Sequence, residues 1–204
     1  MLFDPSMKLT DRETEISYQV GWHNKSLLKV DFENNSIYLT EPFDPTNSGG
    51  IPLPANVDYK GSEVSVNFMS DIRKPFNFYV WGLYGGYYNG TRYSLNGEFY
   101  YRIQPYGSLA VVASYNDISL PEPYNSAGLT LIGTRLDITF TDKLFFTSLV
   151  QYNNQIDNLN LNLRFQWRFA PVSDLYIVYT ENSFPNNYNV KNRGLVFKIS
   201  YWFN

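Results

Sequence analysis

The stretch 159–169 reads LNLNLRFQWRF, and its alternation of apolar and polar residues leaves little choice of conformation. Leu159, Leu161, Leu163, Phe165, Trp167 and Phe169 fall on one side of an extended chain. Asn160, Asn162, Arg164, Gln166 and Arg168 fall on the other. A helix repeats about every 3.6 residues and would spread both sets around its whole circumference; a strand repeats every two and separates them. The same period returns at Tyr93, Leu95, Phe99, Tyr101 and Ile103, interleaved with Arg92, Ser94, Asn96, Glu98 and Arg102. It returns again at the end of the chain, where Leu195, Phe197, Ile199, Tyr201 and Phe203 alternate with Lys198 and Ser200.

The pattern predicts an all-β chain of about eleven strands. Their expected positions are roughly 13–23, 26–34, 58–70, 75–88, 91–104, 107–118, 128–140, 143–154, 158–170, 173–182 and 194–203. The run 34–40, NNSIYLT, is where the count is most open. Soluble sandwiches use strands of about 5–6 residues, whereas a tilted strand crossing a bilayer needs about 9–11. The predicted strands match the second class. No stretch of about 18 apolar residues occurs, so the chain has no transmembrane helix to offer.

The connections sort by length. Asn24-Lys25, Pro105-Tyr106, Thr141-Asp142 and Ala170-Pro171-Val172 are tight. Thr40 to Val57, Ser119 to Ala127 and the Asn-rich 183–193 are long. Asn89-Gly90 is tight where a longer link is expected. Outer-membrane barrels alternate short periplasmic turns with longer outer loops. The expected fold is therefore an antiparallel up-and-down transmembrane β-barrel. Such barrels have an even strand number in bacteria. An odd count suggests that 1–204 is the C-terminal part of a larger barrel, completed by a partner chain or an N-terminal segment. The first residues, MLFDPSMKLTDRETE, lack the apolar core of a signal peptide.

Aromatic residues, 18% of the chain, concentrate toward the strand ends of the apolar faces. Tyr93, Tyr115, Tyr152 and Tyr179 lie at the loop ends. Trp22, Tyr101, Phe140, Trp167, Phe169, Tyr201 and Phe203 lie at the turn ends. Two aromatic girdles around an aliphatic band are what the two lipid–water interfaces favour. The apolar faces then meet lipid, and Arg92, Glu98, Arg102, Arg135, Asp137, Arg164, Arg168 and Lys198 line the lumen. Their signs are mixed, so an open channel and a core of paired charges both fit.

Little catalytic chemistry is on offer. There is no cysteine and one histidine, His23, beside a turn. Histidine is the common base and metal ligand, so neither a metal centre nor a cofactor site is expected, and the chain alone leans away from an enzyme. Glu13 and Glu15 share a face, as any two alternate residues do. Asp44, Asp58 and the Asn-rich 182–192 stretch suit calcium or sugar, though Asn and Asp in loops are usually turn formers. Gly49-Gly50 and Gly85-Gly86 open no helix, so no phosphate loop is indicated. A net charge of −3 gives no basic footprint for nucleic acid.

Several motifs of the second half carry a resemblance. They are Gln151-Tyr152-Asn153, Asn162-Leu163-Arg164-Phe165-Gln166-Trp167, Pro171 with Ser173-Asp174-Leu175, and Val178-Tyr179. Together they resemble the C-terminal barrel of a Bacteroidota outer-membrane family classed as a domain of unknown function. Its members usually carry an N-terminal carbohydrate-binding-like domain and are often labelled membrane-associated hydrolases. The likeness covers about 90–204 and is weaker before that. It implies an outer-membrane barrel of a Gram-negative bacterium, associated with glycans or small solutes, and it carries over no catalytic residue. The family's Arg-Pro-Gly turn reads Phe169-Ala170-Pro171-Val172 here. The expected role is transport or surface binding. The alternatives are a barrel-anchored hydrolase of glycans or lipids, or a soluble β-barrel or sandwich holding a hydrophobic ligand.

Overall fold

The computed structural model describes residues 2–3 and 9–203. Its strands are β1 (Leu2–Phe3), β2 (Leu9–Gly21), β3 (Leu27–Leu39), β4 (Val57–Met69), β5 (Phe76–Tyr87), β6 (Gly90–Ile103), β7 (Gly107–Ser119), β8 (Ala127–Thr141), β9 (Leu144–Asn153), β10 (Asn158–Ala170), β11 (Ser173–Ser183) and β12 (Val190–Ser200). Every strand is hydrogen-bonded to the next in sequence, from β1 to β12 in one sheet. The described chain is all-β, and its order is antiparallel up-and-down. β2 to β12 are the eleven strands that the alternation indicates; β1 is a two-residue pairing on β2.

Three boundaries differ from the sequence-based expectation. β2 begins at Leu9, because Asp11–Thr14 pair with Asn34–Ile37. The run 34–40 is no extra strand: β3 continues to Leu39, held by Ser62 to Val57 of β4. β12 starts at Val190 and stops at Ser200, so Tyr201 and Phe203 lie beyond it. The reason is the length of its neighbour. β11 begins at Ser173, and the β11–β12 ladder runs out at Asp174↔Ser200.

The chain divides into two compact units. The first comprises Met1–Asp71, Tyr79–Asn96 and Ser114–Leu129. Here Ile16, Tyr18, Phe32, Val64, Val66 and Tyr84 are exposed, Ile16 to 68%. The register puts Ile16 opposite Phe32 and Phe32 opposite Val64, on one face. The alternate positions include buried Asp31, Glu63 and Ser94. Among the described residues, the buried apolar side chains of this unit are Leu53, Tyr59, Leu83 and Ile118.

The second unit comprises Ile72–Phe78, Gly97–Ala113 and Thr130–Asn204. Its buried side chains among the described residues are Asn77, Ser173 and Ser183, all polar. Its exposed ones include Phe140, Trp167, Leu195, Phe197 and Ile199. A water-soluble β-protein does the reverse, since each square ångström of apolar surface removed from water is worth roughly 25 cal/mol.

Candidate functional site

In the first unit the polar faces of β2, β3 and β4 form a continuous field. Lys29 Nζ lies 2.7 Å from Asp31 and 3.1 Å from Glu15. Ser17 Oγ is 2.6 Å from both carboxylates. Asp31 also receives Ser65 Oγ at 3.4 Å and Asn67 Nδ2 at 3.5 Å, and the Tyr79 hydroxyl donates to Asn67 at 2.7 Å. One row higher, Glu15 stands opposite Glu33, and Glu33 opposite Glu63. Glu63 is 4% exposed and accepts a hydrogen bond from Arg92 Nη2 at 2.7 Å. The Arg92 guanidinium also sits 4.5 Å over the Tyr87 ring.

The long link between β3 and β4 is folded and anchored rather than free. Asp44 accepts the Thr46 hydroxyl at 2.6 Å, the Thr46 amide at 2.9 Å, and the Ser48 and Gly49 amides at 3.0 Å. These donors, the Thr46 hydroxyl foremost, hold the Asp44 carboxyl below the usual carboxylate range. Phe43 and Leu53 exchange backbone hydrogen bonds, and Leu53 is fully buried. Asn125 donates to Ser48 Oγ at 2.9 Å, tying this link to the one between β7 and β8. The Tyr88 ring meets Phe43, Tyr59 and Tyr87 at 4.8–5.7 Å. Burial there pushes its hydroxyl up to about 12. A cavity of about 480 Å³ lies beside it, lined by residues that include Asp11, Tyr38, Glu41 and Phe43.

The second unit has its own polar face. Arg135 is bonded to Asp137 at 2.8 Å, Asp137 accepts the Thr147 hydroxyl at 2.8 Å, and Arg164 reaches that hydroxyl at 3.4 Å. Arg168 pairs with Asp174 at 3.5 Å, which also accepts Gln166 at 2.9 Å. Toward the loop end come amides: Asn158 and Asn160 both donate to Asn182, and Asn182 donates to Asn192. A cavity of about 660 Å³ opens at the 70–75 turn, lined by Ile72, Arg73, Pro75 and Tyr101 to Gln104.

Of the eight charged residues expected on the polar face, Arg92, Arg135, Asp137, Arg164 and Arg168 make the contacts given above. Glu98 accepts the Tyr100 hydroxyl at 2.8 Å, and Lys198 stands in register with Tyr176. Arg102 is spent on a turn, donating to the Ile72 and Lys74 carbonyls at 2.5 and 2.9 Å. Of the eleven aromatics singled out, Trp22, Tyr93, Tyr101, Tyr115, Phe140, Trp167, Tyr201 and Phe203 are exposed. Tyr152, Phe169 and Tyr179 are half-buried. Several stand in contact: Tyr93 with Tyr115 at 6.4 Å, Trp167 with Phe169 at 5.8 Å, Phe169 with Tyr201 at 6.4 Å and Tyr201 with Phe203 at 4.6 Å.

His23 is exposed in the turn after β2. Asp44 serves its own loop, and Asp58 is bonded to Ser36 at 2.8 Å and Lys60 at 3.5 Å. No group of three or more His, Asp or Glu among the described residues is arranged to hold a metal. The row of Glu15, Glu33 and Glu63 is what sequence reasoning missed. Each glutamate alternates visibly within its own strand, but their alignment depends on two registers, one across the 22–26 turn and one across the long 40–56 link. The Phe76, Phe78 and Phe99 cluster, with rings 5.8 and 6.1 Å apart, was also missed.

No family model matches the chain. No curated protein matches it. Among solved structures it is similar to the KdgM porin in complex with disordered oligogalacturonate. The likeness spans 95% of this chain and 98% of that one, at 11% sequence identity and a TM-score of 0.37.

Proposed function

We propose that this chain is a membrane-embedded wall of an outer-membrane β-barrel, and that its polar face passes or binds small polar solutes. The observation that carries the reading is the inverted burial. Ile16, Phe140, Phe197 and Ile199 are more than half exposed, while Glu63, Ser94 and Ser173 are buried. In water that arrangement forfeits the main favourable term of folding. In a bilayer it is the expected one, because the outer solvent is hydrocarbon and the polar groups turn inward. A soluble barrel holding a hydrophobic ligand needs the opposite assignment.

The exposed aromatics at the strand ends belong to the same reading as interfacial girdles. So does membership of the Bacteroidota outer-membrane family, supported by the residue motifs of the second half.

The test is fractionation of cells expressing the natural protein. The protein is expected in outer membranes, released only by detergent, and migrating faster on unboiled than on boiled gels. Recovery of folded protein in detergent-free extract would overturn the proposal.

A further inference from the structure

We propose that the cavity at the loop end of β2 and β3, bordered by residues 40–43, is a binding site for an uncharged saccharide. The inference deepens the reading of this chain as one that handles small polar solutes, and it rests on that reading.

The cavity is lined by groups of three kinds. Phe43 and Tyr88 contribute rings, 5.7 Å apart and inclined at 45°. Asp11 and Glu41 contribute carboxylates, and Thr10 and Thr40 hydroxyls. Its volume of about 480 Å³ falls within the range of small-molecule sites, roughly 300–1,000 Å³. No lysine or arginine is among the described residues that line it. A phosphate or a carboxylate on a solute therefore meets two like charges and no partner.

The hydrogen-bonding groups narrow the choice further. Neither Asp11 nor Glu41 is hydrogen-bonded or ion-paired to a described residue. The Tyr88 hydroxyl is hydrogen-bonded to none either, and burial keeps it protonated through neutral pH, so it is available as a donor. An organic ammonium suits the carboxylates and the rings but has nothing to accept from that phenol. An apolar ligand leaves all three groups unmet. A sugar hydroxyl both donates and accepts, and a pyranose adds a face of C–H bonds that packs against a ring. The saccharide meets rings, carboxylates and phenol together.

The rim is ordered without a ligand. Phe43 exchanges backbone hydrogen bonds of 3.1 and 2.7 Å with the fully buried Leu53. Tyr88 holds a φ of 51°, uncommon for a bulky residue, and its ring stands edge-on to the buried Tyr59 at 5.5 Å. Order that already exists does not have to be created on binding, which favours affinity.

The experiment is saturation-transfer NMR titration of the full chain in lauryldimethylamine oxide, a detergent that carries no sugar. The probes are maltose, cellobiose and benzyltrimethylammonium. At least one disaccharide is expected to bind the unaltered protein. Phe43→Ala and Asp11→Asn are each expected to weaken that binding roughly threefold or more. Phe76→Ala, an exposed aromatic of the second unit, is the control and is expected to leave it unchanged. If Phe43→Ala does not reach the heat-modifiable form, the near-isosteric Asp11→Asn decides alone. Failure of both disaccharides to bind overturns the saccharide site, whether or not the ammonium binds. So does disaccharide binding that survives Asp11→Asn and Phe43→Ala, or that falls equally in Phe76→Ala. These results leave the membrane reading standing, because extraction with the outer membrane tests it separately. Protein recovered folded without detergent overturns that reading instead, and the same titrations in plain buffer then decide the site.

Discussion

Val172 holds a φ of 56°, in the left-handed region that a β-branched side chain enters only at a cost. It follows Pro171 in the two-residue link between Ala170 and Ser173, which pair across the hairpin. Proline fixes its own φ near −65°, and a positive φ next to it gives a type II turn, whose third position wants glycine or asparagine. The cost of Cβ in this conformation is about 1–2 kcal/mol. Val172→Asn is therefore expected to raise stability by roughly 1 kcal/mol, and Val172→Gly by less, since glycine loses more freedom on folding. Urea unfolding of the refolded protein measures both. A loss of stability in Val172→Asn would show that a contact of the exposed valine, not its backbone, dominates the turn.

Single residues thus carried the sequence reading well: Asp44 is the turn former its position implied, and the tight links are tight. At the scale of strands the reading was sound where period two alone decides. The eleven long strands lie at or near the positions that alternation gives. It failed where tertiary pairing decides. The run 34–40 leaves the strand count open in the sequence, and its partners on β4 make it an extension of β3 to Leu39. The glutamate row stayed hidden because a shift of one residue in either ladder turns a side chain to the other face. Nothing in the 40–56 sequence announces which register its packed loop enforces.

β10 offers the cleanest test of the face assignment. Leu163 and Asn162 are adjacent and mid-strand, with Leu163 opposite Ser148 and Tyr179, and Asn162 opposite Leu149 and Thr180. If the apolar face meets hydrocarbon, Leu163→Arg places a charge near the middle of the bilayer at a cost of about 2–4 kcal/mol. Asn162→Arg, one residue away, enters the polar face and is expected to cost under about 1 kcal/mol. Folding titrations in lipid vesicles read the difference directly. Equal costs, or the reverse order, would reassign the faces.

For the molecule as a whole, the four tryptophans sample both environments. Trp22 and Trp167 are each 45% exposed, and Trp202 is 61% exposed. Trp81 stands opposite Asn67, whose amide reaches Asp31, and so belongs to the polar face. Single-tryptophan proteins refolded into vesicles with brominated lipids separate the two cases. Trp167 alternates with the leucines of β10 near the strand's turn end. Its emission is expected to be quenched most by bromines placed high on the acyl chain, close to the headgroups, where amphipathic rings gather. Trp81 is expected to escape lipid quenching and to respond to aqueous iodide if the polar face is wet. Under the membrane reading the two behave differently, because Trp81 lies on the polar face of its own unit and Trp167 alternates with the apolar residues of β10. Strong lipid quenching of Trp81 with none of Trp167 would mean a sheet whose polar face looks outward. The exposed isoleucines, phenylalanines and valines would then need an occupant other than lipid.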